Sequence, residues 1–148
     1  MKTVQILALV TMLVLGTAAV GPGAQAALLL GFGDKCLDVE AGNTADGTRV
    51  NIFHCHGGFD QQWIAQQGEL VGIGEKCLDV PGFNTANGTP VQIYTCNGGA
   101  NQQWRVQNGQ IIGPGGKCLD VPGFNTTDGT RVQIYTCNGG ANQQWSIR

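Results

Sequence analysis

The sequence predicts an all-β protein built from three copies of one unit around a pseudo-threefold axis. Three observations predict this class: a repeat of constant length, short apolar segments bounded by turn residues, and two cysteines in every copy. Each copy must be one supersecondary unit that buries its apolar face against the others. The repeat is 41 residues long, as shown by the cysteines at Cys36, Cys77 and Cys118, by those at Cys55, Cys96 and Cys137, and by Trp63, Trp104 and Trp145.

The amino-terminal segment 1–26 is typical of a secretory signal peptide. Lys2 gives it a positive start, residues 6–15 form an apolar core, and Gly21-Pro22-Gly23 precedes a small-x-small cleavage site at 24–26. An uncleaved membrane anchor is the alternative, but the apolar run is short for a membrane span. We therefore expect a mature chain, 27–148, that is exported to the extracellular space and does not insert into a membrane.

The three units occupy about 27–66, 67–107 and 108–148, so the repeats fill the mature chain as one binding domain. Unit one opens with the apolar segment Leu29-Leu30-Gly31. At the other end, residues 146–148 follow the last tryptophan and are not followed by a further segment of this kind. The first strand therefore completes the set at the other end, and the two termini should meet. An open solenoid would need atypical capping repeats, and the three units carry none.

Each unit is predicted to contain four short strands, about twelve in all. Gly, Asn and Pro interrupt the apolar segments every 8 to 12 residues or so, and each unit has an Asn-Gly or Asp-Gly turn, for example Asn87-Gly88. No part of 27–148 has the pattern of a long amphipathic helix. In unit two the strand segments are 70–71, 78–80, 91–96 and 104–106.

An exported chain with six cysteines is expected to form three disulfides. Pairing within each unit is the economical arrangement, because threefold symmetry holds equivalent cysteines far apart. Each bridge then closes a loop of the same size and stabilises the fold by roughly 3 kcal/mol. The predicted pairs are Cys36 with Cys55, Cys77 with Cys96, and Cys118 with Cys137.

Strand alternation separates core positions from surface positions. In 91–96, Val91 and Ile93 share the inner face, whereas Gln92 and Tyr94 share the other. A disulfide between Cys77 and Cys96 would hold Asp79 on that second face. The pattern therefore places a carboxylate, an amide and an aromatic ring in one shallow pocket, and these groups suit a sugar ring and its hydroxyls.

Three Gln-x-Trp motifs, each downstream of a Cys-Leu-Asp-Val segment and a second cysteine, end at Trp63, Trp104 and Trp145. With these motifs the whole predicted mature chain resembles the ricin-type β-trefoil lectins, and it is similar in particular to family 13 carbohydrate-binding modules. The resemblance implies a β-trefoil with three lobes, each able to hold one sugar. The tryptophans are expected to pack in the core.

The resemblance also implies which residues bind the sugar: an Asp after the first cysteine, a polar residue and an aromatic on the third strand, and the polar pair before Trp. The carbohydrate-binding positions are Asp79, Gln92, Tyr94, Asn101 and Gln102 in unit two, Asp120, Gln133, Tyr135, Asn142 and Gln143 in unit three, and Asp38, Asn51, Phe53, Asp60 and Gln61 in unit one. Unit one departs from the pattern, and His56 replaces Asn97 and Asn138. We expect its site to be weaker or differently selective. Gln102 and Gln143 have an equally good alternative role, that of hydrogen-bonding the backbone of the turn.

Other functions fit the sequence less well. A formal charge of −2 and a pI near 5.5 give no basic field for nucleic acid. The pair His54 and His56 flanks a disulfide cysteine, so we predict no metal site and no cofactor. Ser146 is the one serine of 27–148, and symmetry separates the tripled aspartates, so we predict no enzyme activity.

The predicted function is therefore a secreted, non-catalytic lectin that binds a glycan or polysaccharide, with galactose- or xylose-type sugars favoured, through up to three sites. A non-sugar role on the same fold, such as a protease inhibitor or a protein-binding toxin subunit, is one alternative. A binding module split from a glycoside hydrolase is another. The identity of the sugar, the number of active sites, the oligomeric state, any partner enzyme and glycosylation at Asn87 and Asn125 are left open by the sequence.

Overall fold

The computed structural model describes residues 25–148, and the predicted signal peptide lies outside this range except for Gln25 and Ala26. The described residues form fifteen short strands and nine single turns of 3-10 helix. The strands are β1 Ala26–Ala27, β2 Leu29–Leu30, β3 Lys35–Val39, β4 Val50–His54, β5 Trp63–Gln66, β6 Glu69–Val71, β7 Lys76–Asp79, β8 Thr89–Pro90, β9 Gln92–Thr95, β10 Arg105–Gln107, β11 Gln110–Ile112, β12 Cys118–Asp120, β13 Thr130–Arg131, β14 Gln133–Tyr135 and β15 Ser146–Ile147. The turns are Phe32–Asp34, Glu40–Gly42, Phe59–Gln61, Ile73–Glu75, Pro81–Phe83, Ala100–Gln102, Pro114–Gly116, Pro122–Phe124 and Ala141–Gln143.

The strands form three antiparallel sheets of five strands, ordered β1-β5-β6-β7-β9, β10-β11-β12-β14-β8 and β13-β4-β3-β2-β15. The ring closes where β15 pairs with β2, with Ser146 opposite Leu30. Leu28 and Arg148 also exchange two backbone hydrogen bonds of 2.9 Å. The all-β, threefold class is confirmed, and the two ends of the predicted mature chain meet as the end segments indicate.

Residues 25–148 form three more strands than the twelve expected from the apolar segments. β8 and β13 are two-residue strands that pair one unit with the next, β8 with β14 and β13 with β4. The third, β1, pairs with β5. Such pairs form between distant segments, so no local apolar pattern marks them.

The core lies on the pseudo-threefold axis and uses the same positions from each unit. The indole N–H of Trp63 donates to the carbonyl oxygen of Leu37 at 3.0 Å, and the other two tryptophans make the equivalent bond. Each tryptophan ring packs on a glycine at which a Cβ would come within 3 Å of the ring, for example Gly113 on Trp104. The prediction that the tryptophans are core residues is confirmed. The core set is Leu29, Leu70, Ile111, Leu37, Leu78, Leu119, Val39, Val80, Val121, Val50, Val91, Val132, Ile52, Ile93, Ile134, Trp63, Trp104 and Trp145.

The three predicted disulfides are all present, Cys36–Cys55, Cys77–Cys96 and Cys118–Cys137, each with a sequence separation of 19. Between units, Lys76 contacts Asp46 at 2.7 Å and Lys35 contacts Asp128. Within residues 25–148, no helix is long and apolar enough to cross a membrane.

Candidate functional site

In unit two the predicted site forms where β7 and β9 run side by side. Asp79 lies directly opposite Gln92 in the strand register, and Cys77 lies opposite Tyr94. Val91 and Ile93 face the core, whereas Tyr94 is 41% exposed. Strand alternation therefore brings the carboxylate, the amide and the phenol to one outer face, as the sequence indicates.

The Asp79 carboxylate is 3% exposed and is held by three amide groups. Gln92 Nε2 donates to Oδ1 at 3.0 Å, while Asn101 Nδ2 and Gln102 Nε2 donate to Oδ2 at 3.1 and 2.9 Å. Hydrogen bonds from neutral amides satisfy the buried charge and fix the orientation of the carboxylate. Asp79 is therefore both a candidate ligand for sugar hydroxyls and a hub of the local structure.

Gln102 is fully buried behind this carboxylate. Its Nε2 also donates to the backbone oxygen of Thr95 at 3.0 Å, and its Oε1 accepts the backbone N–H of Asn97 at 2.9 Å. All these bonds are internal, so Gln102 holds the Asp79 carboxylate and the backbone of the turn in place. Asn101 is also buried, and its Nδ2 donates to the backbone oxygen of Val80 as well as to Asp79.

Unit three repeats this geometry. Asp120 is 3% exposed, Tyr135 is 39% exposed, and the amide-to-carboxylate distances lie between 2.9 and 3.2 Å. The amide donors are Gln133, Asn142 and Gln143. The two sites are therefore near copies of each other.

Unit one keeps the position of the carboxylate but changes its partners. Within residues 25–148, Gln61 is the one amide that donates to Asp38, with Nε2 at 2.9 Å from Oδ2. Asn51 is one methylene shorter than Gln92, and its Oδ1 is buried without a hydrogen-bond partner. Asp60 stands where Asn101 stands in unit two. Burial, together with the charge of Asp60, raises the pKa of Asp38 to about 6 against the opposing hydrogen bond from Gln61.

A cleft of about 360 Å³ opens over Asp38. Asp60 Oδ1 and Asp38 Oδ2 lie 4.0 and 3.8 Å from Nε2 of His56, and Phe53 forms an aromatic wall. Unit three contributes Gly129 to the rim. The lining is completed by Glu40, Ala41 and Asn51.

A family model of the ricin-type β-trefoil lectin domain matches residues 28–145, which is most of the chain. The chain belongs to this family. The threefold core and the closed ring agree with this family, and the Asp-centred groups of units two and three are alike whereas that of unit one is different.

Solved structures share the fold. ThreeFoil, a designed threefold-symmetric protein, is 36% identical over 82% of this chain and 96% of its own, with a TM-score of 0.77. The exo-β-1,3-galactanase 1,3Gal43A from Clostridium thermocellum is 29% identical over 85% of this chain and 30% of its own, also with a TM-score of 0.77. A non-toxic homologue of type II ribosome-inactivating proteins from Momordica charantia, in complex with α-methyl-D-galactoside, is 25% identical over 88% of this chain and 49% of its own, with a TM-score of 0.74.

Neither of two clusters with metal-ligand spacing suits a metal ion. In one, Glu69 lies beside Cys77 and Cys96, whose sulfurs are joined in a disulfide. In the other, His56 lies between Asp38 and Asp60, but its Nδ1 accepts the backbone N–H of Gly58 at 3.0 Å. This bond leaves the proton of the neutral ring on Nε2, so the nitrogen that faces the carboxylates is a donor and has no lone pair for a metal.

Sequence reasoning missed several residues at these sites. Glu40 lines the unit-one cleft in the place of Pro81 and Pro122, a difference that the aligned repeats do contain. Phe83 and Phe124 are 60% and 53% exposed. Phe83 lies beside Gly99, in the turn that carries Asn101. These rings add apolar surface near the sites of units two and three.

Proposed function

We propose that this lectin domain is exported and binds glycans without catalysis, through near-identical sites in units two and three and a third, different site in unit one. The observation that carries the proposal is the repeated grouping of a fixed carboxylate, an amide and a half-exposed phenol on one face. An ionised carboxylate accepts two vicinal hydroxyls, the amide offers a donor and an acceptor, and the phenol ring packs on the apolar face of a pyranose.

Galactose- or xylose-type sugars are the favoured ligands. Galactose-type sugars are supported by the Momordica charantia homologue bound to α-methyl-D-galactoside and by the Clostridium thermocellum galactanase. A single shallow site of this kind binds a monosaccharide at about millimolar Kd. Two or three sites on one repeating glycan gain a further hundredfold or more through effective concentration.

In units two and three we assign the direct contacts to the carboxylate, the partly buried glutamine and the exposed phenol, while the buried amides hold the carboxylate in place. Asp79, Gln92 and Tyr94 meet the sugar in unit two, while Asn101 and Gln102 position Asp79. Unit three uses Asp120, Gln133 and Tyr135 as contacts, with Asn142 and Gln143 as positioning residues. In unit one Asp38, Asn51, Phe53 and Asp60 line the site, with Gln61 behind Asp38.

The test is a glycan array and a polysaccharide pull-down with the oxidised chain and the double variant Tyr94→Ala, Tyr135→Ala. Both phenols lie outside the core, so the variant should keep its fold, while retention on the bound polysaccharide should fall by about tenfold or more. Val106→Ala is the matched control, because Val106 is 42% exposed and lies outside the sites.

Retention of the glycan by the double variant at the wild-type level would refute the site assignment. A folded wild-type chain that binds no glycan would instead favour a protein partner. Release of reducing sugar from the bound polysaccharide would contradict the non-catalytic part of the proposal.

A further inference from the structure

The unit-one cleft carries more negative charge than the equivalent surface of the other units. Asp38, Asp60 and Glu40 all line it. Units two and three have a single aspartate at the site, with Asn and Pro in the places of Asp60 and Glu40. The cations beside it are Arg49, whose Nε lies 3.8 Å from Glu40, and Arg131, which also interacts with Glu40. Both guanidinium groups act on Glu40, whereas Asp38 and Asp60 have no Lys or Arg partner within residues 25–148, so the cleft keeps a net negative charge.

The cleft is also rich in hydrogen-bond acceptors and poor in donors. Asp38 has lost two of the three amide donors that hold Asp79, so its Oδ1 has no amide partner in the described chain. Asn51 is 3% exposed and lines the same cleft, and its buried Oδ1 has no partner, a feature that Asn101 and Asn142 share in the other units. The Nε2–H of His56 is the donor that faces the two aspartates. A ligand that fits this cleft must therefore bring donors and positive charge.

An apolar wall accompanies these acceptors. The Phe53 ring lines the cleft and lies at the position that Tyr94 and Tyr135 hold in the other units. It has no hydroxyl, so it offers a sugar its aromatic face alone. The volume of about 360 Å³ lies within the usual range for small-ligand sites.

From this arrangement we infer that the unit-one cleft binds an amino sugar with a free ammonium group, a hexosamine that is not N-acetylated. The ammonium donates to the carboxylates of Asp38 and Asp60, and the pyranose face packs on Phe53. The inference rests on the proposed lectin function and assigns a separate ligand class to one of its sites. Units two and three each have one carboxylate and several amides at the site, and they bind neutral sugars.

A neutral sugar satisfies the unit-one cleft less well. Its hydroxyls donate one hydrogen each and carry no charge, so the Asp38 and Asp60 carboxylates would stay close together without a countercharge. An ammonium group provides three donors and a full positive charge. N-acetylation removes the charge and leaves one N–H donor of the three, which makes the acetylated sugar the matched probe.

The experiment is an amide NMR titration of the oxidised chain at pH 7 and low salt with glucosamine and galactosamine, and separately with their N-acetylated forms and with galactose and xylose. Amides of 56–58 report on unit one, and those of 97–99 and 138–140 report on units two and three. We expect the free hexosamines to bind at unit one about tenfold more tightly than the acetylated forms, the ratio that one charge-assisted hydrogen bond provides.

Two variants sharpen the test by exchanging residues that the chain already uses at equivalent positions. Asp60→Asn gives unit one the residue of units two and three, and it should reduce the preference for the free amine to about twofold or less. Asn101→Asp should transfer part of the preference to unit two. Glu69→Gln removes a carboxylate that does not line the cleft, and it should leave the preference unchanged.

Equal shifts at unit one by free and acetylated sugars would overturn the inference, as would an unchanged preference in Asp60→Asn. Binding of Ca²⁺ or Zn²⁺ at unit one without any hexosamine binding would do the same and would favour a metal site. Binding of galactose or xylose at units two and three tests the proposed function separately. If galactose and xylose do not bind at units two and three but the hexosamines bind at unit one, the inference stands and the proposed function of units two and three fails. If no sugar binds at any unit, both the inference and the proposed function are refuted.

Discussion

Unit one differs from units two and three in how the same buried aspartate is surrounded. The backbone position, the disulfide and the tryptophan bond are alike in all three units. Asp79 and Asp120 each accept hydrogen bonds from three amides, whereas Asp38 accepts one from an amide and faces a second carboxylate.

The fold fixes where the carboxylate lies in each unit, and two neighbouring side chains decide its hydrogen bonds and its pKa. Shortening Gln to Asn removes one donor, and replacing Asn by Asp removes another and adds a charge. In units two and three the result is a rigid, satisfied acceptor. In unit one it is an acidic group with free acceptor capacity and a raised pKa.

The largest expected effect separates the two kinds of site by stability. Asp79→Ala removes the acceptor of three amides in a buried network and should lower the free energy of unfolding by about 3 kcal/mol or more. Asp38→Ala removes the acceptor of one amide and should cost about 1 kcal/mol. Guanidinium unfolding of both variants, with disulfides intact, measures the difference. Equal losses would mean that the amide network does not stabilise units two and three.

A second prediction uses the pH dependence of stability. The pKa of Asp38 is raised from 3.8 to about 6, so the folded state binds the proton of this carboxyl more tightly than the unfolded state does. Protonation of Asp38 therefore stabilises the fold fully below about pH 4, and this contribution is lost as the pH rises through 6. Asp38→Asn keeps an acceptor for Gln61 and stays neutral. Between pH 4 and 7 the free energy of unfolding of Asp38→Asn should therefore rise relative to that of the wild type, by an amount on the order of 1 to 3 kcal/mol.

The measurement is unfolding of wild type and Asp38→Asn at a series of pH values, with Asp79→Asn as the matched control. Asn at position 79 places an amide against the donors of Gln92, Asn101 and Gln102, so this variant should be less stable than wild type at pH 7. A constant difference between wild type and Asp38→Asn across the pH range would show that Asp38 does not titrate near 6. Asp128, which is salt-bridged and whose pKa is lowered to about 2, contributes equally to the pH dependence of the wild type and of the variant.

The smallest expected effect concerns the contacts between units. Lys76 pairs with Asp46 and Lys35 with Asp128, whereas the third equivalent position is Asn87, which bonds Thr136 near Lys117. Asn87→Asp should complete the set of ion pairs and raise Tm slightly, by a few degrees at most, since exposed pairs contribute little. The gain should shrink in high salt, and a salt-independent change would have another cause.

The grouping of Asp79 with Gln92 and Tyr94 could be predicted from the sequence, because it needs only strand alternation on two adjacent strands and a disulfide between them. The role of Gln102 was open because a buried glutamine and a sugar-binding one look the same in the sequence. Its bonds to Thr95 and Asn97 are local, 7 and 5 residues away, but its bond to Asp79 joins residues 23 apart, and that contact and its burial depend on tertiary packing.

The exposed Phe83 and Phe124 escaped prediction for a different reason. Both have a left-handed backbone, with φ of 55° and 54°, which is unusual for an aromatic residue. The tight 3-10 turns after Val80 and Val121 impose this conformation and direct the rings outward. Local propensity gives no sign of it, because the conformation is imposed by the surrounding fold.

Four properties follow from the sequence: the repeat, the disulfide pairs, the core face of each strand and the family. These properties rest on spacing, alternation and composition, which are local or periodic in the chain. The tertiary structure alone shows how many donors reach each aspartate, that Glu40 lines the cleft over Asp38, that His56 Nε2 faces both Asp38 and Asp60, and how the units pair. Those properties depend on distances of a few ångströms between segments far apart in the chain, where one methylene decides whether a hydrogen bond forms.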